Sequence, residues 1–91
     1  MNQPEHDPVV DRLREQISAL DRSIVESVNR RIELVAELKR HKDEHEIAFV
    51  DPDREAWQFA HQAAANRGPL SDGGLRAFYT ELLALTKREV G

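Results

Sequence analysis

Ninety-one residues and 10.4 kDa bound this chain to one domain with a small core. Seventeen acids against thirteen Lys and Arg leave a net charge of −4, which argues against the basic face that nucleic-acid binding needs. With no cysteine present, disulfides, thiolate metal sites and Cys nucleophiles are excluded.

The opening "MNQPEHDPVVD" is polar and lacks the apolar core of a leader peptide. No run approaches the roughly 18 apolar residues of a membrane span. The expectation is a soluble cytoplasmic protein that engages neither nucleic acid nor membrane. Residues 1–8, with two prolines and no periodicity, predict a disordered arm, and residues 9–91 a single domain.

From about Val9 to His45 there is neither Gly nor Pro, and a helical period persists throughout. That predicts a helix of roughly 35 residues, some 50 Å long at about 1.5 Å per residue. A helix of this length exceeds what a compact monomer of this size can bury, so it should pair with another chain. At about 100° per residue, Leu13, Ile17, Leu20, Ile24, Val28, Val35 and Leu38 form one apolar stripe. Arg31 and Lys42 fall near the middle of that stripe, whereas Arg30 points to the opposite side.

Two readings of these inward cations compete. Each snorkels or pairs with a carboxylate of another helix, or the missing anion is a ligand. An unpaired buried charge costs several kcal/mol, so a dry site requires some anion. Eleven residues separate Arg31 from Lys42, roughly 16 Å along one helix, and long side chains bending together can grip a small dianion. Arg14 lies at the stripe's edge, 28 residues before Lys42, or about 42 Å away. For Arg14 to share the site it must come from a second, antiparallel protomer, which makes two equivalent mixed sites in a two-fold dimer.

"EHEIAFV" reads as a short link. "DPDRE" then starts a second helix, with Asp51 as N-cap, Pro52 at the first helical position and acids in the first turn. It runs to about Asn66 and stops at Gly68 and Pro69. Ser71 caps a third helix whose apolar positions are Leu75, Phe78, Tyr79, Leu82 and Leu85. The fold class is therefore all-α, with one long and two shorter helices. Trp57, Phe78 and Tyr79 read as core side chains from their helical spacing. His41 and His45, four apart, lie in "KRHKDEHE", a charged helix end rather than a metal site. Lys42 stands where a zinc protease motif needs Glu.

"LREQISALDRSIVESVNRRIELVAELKRHK" followed by "DPDRE" resembles the all-helical chorismate mutases. Their pattern runs Leu-Arg-x-x-Ile-x-x-Leu-Asp, Arg-Arg-x-x-Leu-Val, Lys, then Asp-Pro-x-Arg-Glu. The resemblance covers about residues 11–89 and implies an intertwined antiparallel homodimer of three-helix chains converting chorismate to prephenate without a cofactor or metal. It implies that Arg14, from the neighbouring protomer, binds one substrate carboxylate and Arg31 the other. Lys42 would donate to the ether oxygen and a carboxylate. Asp51 and Glu55 would meet the ring hydroxyl region, with Arg54 supporting them. The chemistry suits these residue types: two arginines match planar carboxylates, and a lysine acts as a point charge.

The family carries a hydroxyl residue near its end and a Gln four positions later that bonds the ether oxygen. Aligning Tyr79 with the family's aromatic position puts Thr86 at the hydroxyl and Val90 at the Gln. Shifting by one puts Leu85 and Glu89 there instead. Either choice weakens the second donor, which implies a modest standalone enzyme. Some short relatives lacking this Gln are activated by DAHP synthase, a partner this resemblance extends to here. Glu46 and Ala48 replace the family's Gly and Pro in the link, and a non-Gly residue in a left-handed turn there costs about 1 kcal/mol. Two rival readings are an isochorismate pyruvate-lyase on the same fold and a non-catalytic helical dimerisation or regulatory module. The set Arg14, Arg31, Lys42, Arg54 and Glu55 favours the mutase over a pure interaction module.

Overall fold

The computed structural model describes residues 7–91. Residues 1–6, most of the expected arm, lie outside the described residues. Three helices follow in order: α1 (Pro8–Glu44), α2 (Pro52–Ala65) and α3 (Asp72–Val90). Among the described residues there is no strand, so the fold is all-α, as the periodicity predicts.

Helix α1 starts on the same Asp-Pro signal as α2. The Asp7 carboxylate accepts from the Val9 and Val10 amides at 2.8 and 3.2 Å, and Pro8 takes the first helical position, where it lacks no needed donor. Asp7 and Pro8 thus form the start of α1.

The chain divides into two units, Met1–Glu33 and Leu34–Gly91. The described part of the first is the N-terminal stretch of α1 alone. Its stripe residues Leu13, Ile17, Leu20 and Ile24 are all exposed, Leu20 by 64%. On its polar side Arg30 pairs with Glu33 one turn on, at 3.1 Å.

The second unit holds the end of α1 with α2 and α3. The buried apolar side chains, Leu75 and Tyr79, are 8% and 9% exposed and sit one turn apart on α3. Tyr79 meets the Phe59 ring of α2 edge-on, with centroids 6.2 Å apart, the arrangement that ring quadrupoles favour. Arg76 covers Phe59 at 4.4 Å. Leu82, half-buried, and Thr86, only 4% exposed, continue the inward row at positions 75, 79, 82 and 86, a helical face.

Trp57 and Phe78 correct the sequence expectation, for both are half exposed. Phe78 neighbours Tyr79 and so points about 100° away from it, and only one of the pair can face α2. Trp57 lies between two polar partners of its own helix instead of in the core. Arg54 covers its face at 4.4 Å, and His61 stacks on it at 4.9 Å.

Candidate active site

The end of α1 shows how the chain fixes Lys42. The Ile47 amide donates to the Lys42 carbonyl at 2.8 Å, and the Glu46 amide to that of Asp43 at 3.4 Å. These bonds, from the sixth residue to the first and the fifth to the second, make a Schellman stop. The stop puts Glu46 in the left-handed region, at φ 55°, where glycine is the favoured residue. The turned-back link then brings the Phe49 carbonyl to the Lys42 side chain, whose Nζ donates to it at 3.2 Å. Lys42 is half-buried, and this loop holds it by both its backbone and its ammonium group.

At the same helix end, the His41 and His45 rings stack 4.2 Å apart, and His45 Nδ1 donates to the His41 carbonyl at 2.9 Å. That bond commits one ring nitrogen to ending the helix.

The link delivers the chain to Asp51, whose Oδ1 accepts from the Arg54 amide at 3.1 Å. It therefore caps α2, as the sequence predicts. Arg54 is exposed, with its guanidinium on Trp57. Glu55, on the next position of the first turn, is half-buried. Its Oε1 lies 2.9 Å from Nζ of Lys87 on α3. Sequence patterning does not single out Lys87. Thirty-two positions separate it from Glu55, and no local spacing signals a pair formed between two helices.

On α3, the Thr86 hydroxyl donates to the Leu82 carbonyl at 2.7 Å, the back-bond expected of a hydroxyl in a helix interior. Its hydrogen is thereby used. Val90 ends the helix half-buried, whereas Glu89 points to solvent. In the first unit, Arg31 is half-buried and Arg14 is exposed. Asp11, Glu15, Ser18 and Arg22 line an open surface recess with Arg14 on the same stretch of helix. Within Leu34–Gly91 the structure thus joins Lys42 to the link and Glu55 to α3, while Arg14 and Arg31 lie in the other unit.

Three helices without a strand among the described residues, cations along the longest and a capped Asp-Pro turn carrying Arg54 and Glu55 define an all-helical domain. Residues 13–90 match the chorismate mutase type II family, and the chain belongs to that family. It is 30% identical over 77 residues to a bifunctional chorismate mutase/prephenate dehydratase of Stutzerimonas stutzeri, covering 79% of this chain and 21% of that protein. The chain thus spans about a fifth of that relative's length. Among solved structures, form I of chorismate mutase from Thermus thermophilus superposes with a TM-score of 0.82 at 28% identity, over 85% of this chain and 96% of that one. Form II from the same organism gives 0.83 at 28% identity, over 87% and 90%.

Proposed function

We propose that this domain converts chorismate to prephenate by a [3,3] rearrangement in which the ether C–O bond breaks as the new C–C bond forms. The observation that carries the reading is Lys42, held in place by the Phe49 carbonyl within the family-matched region. No proton transfer is required: electrons shift within the substrate, and partial negative charge grows on the ether oxygen. A cation aimed there stabilises the transition state more than the ground state. Holding the dianion in its folded, reactive conformer supplies the remainder.

In this reading Lys42 donates to the ether oxygen and Arg31 binds one carboxylate. Arg14, from a second protomer, binds the other. Asp51 and Glu55 take the ring hydroxyl region, supported by Arg54, and Thr86 offers its oxygen as an acceptor. Val90 stands at the second donor's position and supplies none, which limits the standalone rate. Activation by DAHP synthase is the corresponding partner proposal. A homodimer is supported by the exposed stripe from Leu13 to Ile24, which an antiparallel copy would cover. Among the described residues no helix is long and apolar enough to cross a membrane.

The test is chorismate consumption by the purified chain, with prephenate and pyruvate both quantified. Prephenate without pyruvate is expected, at a rate that rises when DAHP synthase is added. Pyruvate from isochorismate would favour the lyase. No turnover with or without the partner overturns the reading.

A further inference from the structure

We propose that Lys87 is a positioning residue for Glu55, neutralising that carboxylate beside a dianionic substrate and orienting it toward the substrate's hydroxyl. The inference rests on the function proposed above and assigns a role to a residue outside the site set already described. Two cations stand in the last turn of α3. Arg88 turns back along its own helix to Glu81 at 2.9 Å. Lys87 instead crosses to the first turn of α2 and meets Glu55 Oε1 at 2.9 Å.

Glu55 is the more sheltered partner of the pair, with 34% of its side chain exposed against 46% for Lys87. An ionised carboxylate near a bound dianion raises the energy of the complex through like-charge repulsion, more so where water is partly excluded. An ammonium group at contact distance offsets that charge. It also occupies Oε1 and leaves Oε2 to accept a hydrogen bond from a hydroxyl. The origin of the Lys87 stem is fixed by its neighbour, because Thr86 is buried and bonded to its own helix.

A hydroxyl contact of this kind acts in the ground and transition states alike, so its loss raises KM with little change in kcat. Lys87→Met is expected to raise KM about fivefold, the upper range for a partly exposed ion pair, with kcat held within about twofold. Lys87→Arg, which retains the charge, should return KM close to that of the parent. In a Glu55→Gln background, Lys87→Met should add less than about twofold, since its effect passes through the carboxylate.

Equal losses in both backgrounds would show that Lys87 acts on the substrate itself and would overturn the inference. So would an unchanged KM in Lys87→Met when Glu55→Gln is impaired. If the parent is active and Glu55→Gln is indifferent, Glu55 lies outside the site and the inference falls with it. If the parent converts no chorismate, the functional reading fails first, so the two failures are distinguishable. Circular dichroism and Tm of Lys87→Met matching the parent separate these outcomes from misfolding.

Discussion

Replacing Glu46 by glycine should make the protein more stable, and the size of the gain follows from one dihedral angle. Glu46 sits at φ 55° at the turn that ends α1, and an L-residue in the left-handed region costs about 1–2 kcal/mol. Glycine removes that cost but makes the unfolded chain more flexible, returning about 0.4–1 kcal/mol. The net expectation for Glu46→Gly is a stabilisation of about 0.5–1 kcal/mol, or an increase in Tm of some 3–6 °C for a chain of this size. Glu46→Val places a β-branched residue at the same angle and should lose about 1 kcal/mol or more. The assay is thermal and urea unfolding at one fixed protein concentration, because self-association would make Tm concentration-dependent. The same turn carries the Ile47 bond to the Lys42 carbonyl and leads to the Phe49 carbonyl that receives Lys42 Nζ. Glu46→Gly should therefore keep kcat, and Glu46→Val should lower it. Equal stability in all three proteins would refute the argument that the Schellman stop sets this angle.

Lys42→Ala is expected to remain folded and to lose on the order of a hundredfold or more in kcat, the scale for removing a donor to a developing oxyanion. Retention of full turnover would exclude the electrostatic role. Val90→Gln introduces a donor at the position that the Tyr79 register assigns to the family's Gln and should raise kcat on the order of tenfold. The exposed Glu89 changed to Gln should leave kcat almost unmoved. If the proposed homodimer forms, Leu20→Glu adds charge to its exposed stripe and should give a monomer in sedimentation, with activity lost together with the contribution proposed for Arg14. A folded, active monomer would remove Arg14 from the mechanism. Ser71→Ala deletes the side-chain acceptor of the Gly74 amide, now at 3.0 Å, and should cost about 1 kcal/mol in unfolding experiments.

Local chemistry makes much of this molecule legible. The absence of Gly and Pro after Pro8 predicts the long helix. Asp51–Pro52 and Ser71 mark the next two starts because an N-cap needs only a short acceptor and three residues of backbone. Glu46 is identifiable as a cost because it replaces a glycine of the resembled family at a helix stop, which is a local motif. The Asp7–Pro8 start carries the same signal, but composition groups it with the polar, Pro-containing stretch before it. Arg14, Arg31 and Lys42 stand out by their positions on the helix, and Asp51, Arg54 and Glu55 by the resemblance of "DPDRE" to the family's pattern.

What only the tertiary structure decided lies where two elements meet or where one face must be chosen from two. Trp57 and Phe78 have apolar spacing yet stay half exposed, because the face of each helix that packs inward is selected by its partner. The Lys42 bond to the Phe49 carbonyl requires the link to fold back onto the helix end, a path that spacing along one helix does not specify. The Glu55–Lys87 pair joins α2 to α3 across 32 positions. Periodicity describes each helix separately, so the sequence alone determined the elements and the charges they carry. The fold decided which of those charges meet, because contacts between helices depend on their rotation and packing rather than on distance along the chain.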